Sequence, residues 1–141
     1  MTSADDMYAR DLTCQTLGIA LEDVGPGRAS MRMVVTANMV NGHGTTHGGY
    51  IFLLADAAFA YACNSYGPVA VAQSAHITFL RPARVGDQLT AQAVERARQS
   101  QYGIYDVTVH RAEGQVIAEF RGHSVVLSRG VSTVDKESGS G

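Results

Sequence analysis

The chain reads as a single α+β domain, one long apolar helix set into a mostly antiparallel sheet. Three observations predict this. A polar, glycine-rich stretch, residues 41–49, runs straight into the apolar segment Tyr50-Ile-Phe-Leu-Leu-Ala-Asp-Ala-Ala-Phe-Ala60. Downstream, apolar and polar residues alternate in short runs divided by turn signals, the period-2 pattern of half-buried strands. The 141 residues suffice for one domain with a fair core, and no internal repeat is present.

Residues from about Asp5 to Leu17 predict a moderately amphipathic helix, and Gly25-Pro-Gly27 a turn. Ala29, Met31, Met33 and Val35 then alternate with Ser30, Arg32 and Thr36, which predicts a strand. The long helix is expected from about Gly48 to Ser65. Ile51, Leu54, Ala55, Ala58, Phe59 and Ala62 recur there at helical spacing, and Gly67-Pro68 stops it. A strand follows over Val69 to Leu80 and ends at Arg81-Pro82, because proline cannot continue a central ladder. Leu89, Ala91 and Ala93 mark the next strand, and the polar run from Arg96 to Gln101 separates it from Tyr105, Val107 and Val109. Glu113-Gly114 turns the chain into a last strand opened by Val116, Ala118 and Phe120 and ending near Leu127. Residues 1–131 are expected to form the domain, and the small, polar stretch 132–141 a disordered tail.

Composition narrows the classes of function. Apolar residues make up 45%, charged residues 17%, and the net charge is −2, so neither nucleic acid nor an anionic membrane is an expected partner. Cys14 and Cys63 are too few for a disulfide framework, and no basic stretch followed by an apolar run opens the chain. A reducing cytoplasm is therefore the expected location. The apolar helix is interrupted by Asp56 and Asn64 and is too short to span a bilayer.

The loop–helix junction carries the chemistry. Glycines at a helix start let a ligand approach the backbone, and the free N–H groups there favour an oxyanion. Asp56 sits among Leu53, Leu54, Ala55, Ala57, Ala58 and Phe59, where an ionised carboxylate is costly unless paired or used. Amide donors beside a poorly solvated acid are the parts of an acyl-transfer site. Gly48 and Asp56 lie eight positions apart, so ~12 Å of helix rise separates them. One helix struggles to bring both to one carbonyl carbon, whereas two antiparallel copies about a two-fold axis would set one chain's Gly48 near the other's Asp56.

Three segments resemble the hotdog-fold acyl-CoA thioesterases of the phenylacetic-acid-pathway (PaaI-like) type. They are Asn41-Gly-His-Gly-Thr-Thr-His-Gly-Gly49, then Phe52-Leu-Leu-Ala-Asp-Ala-Ala-Phe-Ala-Tyr-Ala-Cys-Asn-Ser65, then Phe79-Leu-Arg-Pro-Ala83 with Gly86-Asp87. The resemblance spans roughly residues 10–128. It implies a hotdog fold, a homodimer often doubled to a tetramer, and hydrolysis of acyl-CoA, with CoA arriving as part of the substrate and no separate cofactor. It implies Asp56 as nucleophile or general base and the Gly48 amide as the group that polarises the thioester carbonyl. Asn41 then holds the carboxylate or the water, and His47 precedes the oxyanion glycine. Gly49 belongs with the substrate-binding residues. A hydroxyl residue is common on the strand after the helix, for which Gln73 and Ser74 are the candidates. Arg81, Arg84 and Arg98, near strand ends, are candidates for the CoA phosphates, as is Arg96. Tyr50, Phe59 and Tyr61 could line an acyl pocket, although aromatics at helical spacing are commonly core.

His43 and His47 invite a metal reading by their separation, but they lie in a glycine loop with no clear third ligand, so no metal is expected. The expected substrate is phenylacetyl-CoA or a hydroxylated derivative. The alternatives are a thioesterase for medium-chain aliphatic acyl-CoA and a non-catalytic acyl-CoA-binding module.

Overall fold

The computed structural model describes residues 3–127, so the expected tail lies outside the described residues. Two short helices, α1 (Ala4–Ala9) and α2 (Leu12–Leu17), lead into the hairpin β1 (Ala20–Gly25) and β2 (Arg28–Val34). A 3-10 turn, Ala37–Met39, and the glycine loop follow, then α3 (Gly48–Cys63). Four strands complete the fold: β3 (Ala70–Phe79), β4 (Gln88–Gln99), β5 (Tyr102–Arg111) and β6 (Val116–Val126). They form one antiparallel sheet in the order β1-β2-β4-β5-β6-β3. The long helix thus enters after two strands, not one.

Alternation decides which face of the sheet meets α3. Met31 and Met33 on β2, Leu89, Ala91 and Ala93 on β4, and Tyr105, Val107 and Val109 on β5 are all buried. Their neighbours Arg32, Gln92, Asp106 and Thr108 point to the other side, where Arg121 grips Asp106 through two hydrogen bonds of 2.6 and 2.8 Å. Phe59 anchors the helix, its ring 5.7 Å from those of both Tyr105 and Phe120. It approaches so near to β6 that a Cβ on Gly122 would meet the ring at 2.8 Å. Truncating Phe59 to alanine would cost about 3–5 kcal/mol.

Three sequence expectations are corrected. The N-terminal helix is broken at Asp11, whose Oδ1 accepts from the Cys14 N–H (3.1 Å) and starts a new helix. Its Oδ2 accepts from the Tyr61 hydroxyl at 3.0 Å, tying that break to α3. Strand β1 was not expected, because Glu22 and Asp23 blur its alternation and a bulge falls between Leu21 and Asp23. The run from Arg96 to Gln99 is not a connection but the end of β4, which continues past a bulge between Glu95 and Ala97; the turn is Ser100-Gln101.

Strand β3 is anomalous. It lies at the sheet edge, paired only with β6, and nearly every residue from Val71 to Phe79 is exposed on both faces. Val69, Val71, Phe79 and Leu80 leave apolar surface there. An exposed edge of this length and character is a template for another strand.

Candidate active site

Helix α3 is apolar around almost its whole circumference, which is the pattern of a helix buried on all sides. One stripe stays open. Gly49 is exposed and Leu53, Asp56 and Ala60 are half-buried, at spacings of four, three and four residues that place them on a single face. Asp56 is therefore the one charged group on α3, set on its one uncovered line. Among the described residues its carboxylate has no hydrogen-bond or ion-pair partner, and burial alone pushes its pKa above the ordinary carboxylate value. It is held without a protein donor among those residues and is reluctant to ionise.

The loop before α3 is self-organised. Asn41 is its hub: Oδ1 accepts from the N–H groups of His43 (2.9 Å) and Thr45 (3.2 Å), while Nδ2 donates to Thr45 Oγ1 (2.9 Å). The main chain closes the same turn through Asn41 N–H to Thr45 (2.8 Å) and Gly44 N–H to Asn41 (3.0 Å). Thr46 then donates through its N–H and its hydroxyl to the Ala83 carbonyl, at 2.8 and 2.9 Å, and Thr45 bridges to Arg84. The turn carrying Ala83 and Arg84 is itself fixed by Asp87, which accepts from the Arg84 N–H (2.8 Å) and Arg111 Nε (3.2 Å). Those two contacts, the amide first, hold the Asp87 carboxyl below its ordinary range.

At the end of this chain of contacts the helix N-terminus is left open. His47 is the N-cap residue with extended backbone (φ −59°, ψ 136°), and its side chain makes no capping bond. The N–H groups of Gly48 and Gly49 have no partner among the described residues, whereas that of Tyr50 bonds back to His47 at 3.1 Å. Two free donors, reinforced by the helix dipole, face outward. A Cβ on Gly48 would strike the Phe79 ring at 2.7 Å, but one on Gly49 would meet nothing within 4 Å. Nothing in this protomer requires glycine at position 49.

The structure thus brings Asn41, His47, Gly48, Gly49 and Arg84 to one end of α3. Arg81 joins that end, donating from a guanidinium nitrogen to the Val116 carbonyl at 2.8 Å. Arg98 does not. It stacks on Tyr66, 3.5 Å from the ring centre, just past the other end of α3, about 24 Å of helix away in the same protomer. Arg96 is paired with Asp106 on the outer sheet face (3.4 Å). Gln73 and Ser74 lie on the exposed edge strand, Gln73 being the extra residue of the bulge between Ala72 and Ser74. Phe59 and Tyr61 are core, and Tyr50 is half-buried. Among the described residues no group of three His, Cys, Asp or Glu side chains could hold a metal. Sequence reasoning did not single out Thr46 and Arg111, which brace the loop; Asp87 entered only within the Gly86-Asp87 part of the resemblance.

A central apolar helix in an antiparallel sheet, with open amides at its start and a lone carboxylate on its open stripe, defines a hotdog-fold protein of the thioesterase superfamily. The chain belongs to that superfamily, whose profile matches residues 43–118, and it is accordingly an enzyme of the thioesterase class. It is 47% identical over 122 residues to the acyl-coenzyme A thioesterase PaaI of Escherichia coli K12, covering 86% of this chain and 87% of the relative. The structure of the E. coli PaaI protein from the phenylacetic acid degradation operon superposes with a TM-score of 0.88 at 45% identity, over 89% of this chain and 91% of that one. A mutant of the phenylacetic acid degradation protein PaaI of Thermus thermophilus gives 0.80 at 38% identity, over 83% and 100%. A Streptococcus mutans protein bound to acetyl CoA gives 0.75 at 25% identity, over 78% and 89%.

Proposed function

We propose that the protein hydrolyses aryl-acetyl-CoA thioesters, phenylacetyl-CoA or a ring-hydroxylated derivative, to the free acid and CoA. The observation that carries this reading is Asp56: an unpartnered carboxylate on the only open line of α3, too far along the helix to serve its own Gly48 amide. A second copy, joined edge to edge through β3 and related by a two-fold axis, sets the two helices antiparallel and supplies the missing half of each site. The unexplained Gly49 and the apolar edge residues Val69 and Val71 support that arrangement. Two such dimers pair into a tetramer, and the enzyme acts in the cytoplasm; among the described residues no helix is long and apolar enough to cross a membrane.

In each composite site the thioester carbonyl oxygen takes the N–H of Gly48, with the neighbouring Gly49 N–H and the helix dipole adding to the field. Asp56 of the other copy acts on the carbonyl carbon. As a base it takes a proton from water while the resulting hydroxide forms the new C–O bond; the C–S bond then breaks, and the thiolate recovers the proton from Asp56. As a nucleophile it forms an anhydride that water opens. The raised pKa suits either role. Asn41 shapes the loop that aims the amides, and Arg84, exposed beside it with no ion pair among the described residues, meets a CoA phosphate.

The support for the aryl substrate is the likeness to the E. coli protein of the phenylacetic acid degradation operon. Thiol release from phenylacetyl-CoA, hexanoyl-CoA and acetyl-CoA, compared as kcat/KM, tests it. The aryl ester should lead, and a hexanoyl preference would overturn the assignment. Tight CoA-ester binding with no thiol release would instead make the protein a binding module. A single turnover in heavy-oxygen water separates the routes, label in Asp56 marking the anhydride.

A further inference from the structure

Phe79 ends β3 and pairs with Ala118 of β6. Its ring is aimed at the first residue of α3. A Cβ on Gly48 would stand 2.7 Å from the ring tip and 3.1 and 3.2 Å from the two adjacent carbons. Only glycine admits an aromatic ring this close to the residue that bears the proposed oxyanion donor. Yet the side chain is not consumed by packing. Phe79 is 50% exposed, on the edge strand where the second copy is proposed to join. One side of the ring therefore covers Gly48 and another is left bare, within a few ångströms of where a bound thioester carbonyl would sit.

We infer that Phe79 is the specificity-determining wall of the acyl subsite: its bare face packs against the acyl group whose carbonyl oxygen meets the Gly48 amide. This deepens the hydrolase reading and rests on it. The geometry leaves little choice of neighbour. A carbonyl oxygen within about 3 Å of the Gly48 nitrogen places the acyl carbon beside Gly48 Cα, the atom the ring already overhangs. An aryl group one methylene further out can stack on that ring or meet it edge-on, a contact that a flexible alkyl chain reproduces less well.

The test compares wild type, Phe79→Leu and Phe79→Met by kcat/KM on phenylacetyl-CoA and hexanoyl-CoA, with Asp56→Asn in parallel. Both Phe79 variants should lower the aryl-to-alkyl ratio by roughly three- to tenfold, the range of one lost aromatic pair. Asp56→Asn should abolish turnover of both esters. An aryl-to-alkyl ratio within twofold of wild type in both Phe79 variants, with circular dichroism and size-exclusion profiles intact, overturns the role of Phe79 and leaves that of Asp56 standing. Retained turnover in Asp56→Asn overturns the underlying reading instead. Methionine is included because its flexible, apolar side chain preserves most of the edge packing. If neither variant assembles, the ring serves assembly and the inference fails.

Discussion

Two inactive variants, mixed, should yield an active enzyme. Asp56→Ala removes the carboxylate from one chain, and Gly48→Pro removes the oxyanion donor from the other. Proline suits the backbone at position 48. It is the first helical residue after the N-cap, where proline is well tolerated, and it deletes the N–H while displacing the Phe79 ring. His47 already has the extended backbone that a residue before proline adopts. The new ring meets Phe79, whose half-exposed side chain has room to swing aside. Losing one oxyanion donor costs about 10²–10³ in kcat, so the Gly48→Pro homodimer should be nearly silent. In a mixed dimer, one site combines the intact Gly48 of one chain with the intact Asp56 of the other, and the second site lacks both. Random pairing makes half the dimers mixed, each with one of two sites whole, so activity per chain returns to about a quarter of wild type. Co-expression with two tags and tandem purification removes the tetramers made of one chain only, which should raise the activity to slightly under a third of wild type. Thiol release is the assay. Mixtures that stay at the level of the parents would refute the shared site, because a Gly48–Asp56 pair within one chain cannot be rescued in this way.

Three further outcomes follow from the electrostatics. In the proposed mechanism Asp56 acts ionised, and burial raises its pKa, so kcat should climb with pH along an acid limb that lies above the ordinary carboxylate range. The same shift means that the folded state holds the proton more tightly than the unfolded chain. Stability attributable to Asp56 therefore falls as pH rises through the raised value. Asp56→Asn should accordingly increase Tm at neutral pH, with the gain fading at acid pH, where the carboxyl is neutral in both states; thermal melts across pH check the sign. Arg84→Ala should raise KM for acyl-CoA about tenfold with kcat held, the worth of one charge-assisted phosphate contact, and added salt should narrow the gap between variant and wild type.

Much of the fold was legible because its strands obey a strict rule. Met31 and Met33, Leu89 to Ala93, Tyr105 to Val109 and Ala118 to Phe120 alternate with polar residues and are buried as the period demands. The unread parts have local reasons. Strand β1 carries adjacent acids and a bulge, and the end of β4 is solvated on both faces, so neither shows alternation. Asp11 breaks a helix by capping a new one, a choice settled partly by Tyr61, fifty residues away. In the site, Gly48 and Asp56 stood out because glycine amides before an apolar helix and an acid inside it violate the surrounding pattern. Arg98 resembled Arg84 in sequence, each a basic residue near a strand end. Only topology separates them, placing one beside the glycine loop and the other against Tyr66. The overlap of Phe79 with Gly48 joins residues on different elements and leaves no periodic trace.

The bare rim along β3 has a consequence for how the protein comes to exist at all. A newly made chain, folded but alone, presents an unclaimed row of peptide donors and acceptors beside Val71 and Phe79, and any passing strand can dock there. On the proposed two-fold pairing, maturation is a race between meeting a sister copy and sticking to a stranger. Scarce expression favours the stranger, and charge placed on that rim would protect solitary chains only by preventing that pairing.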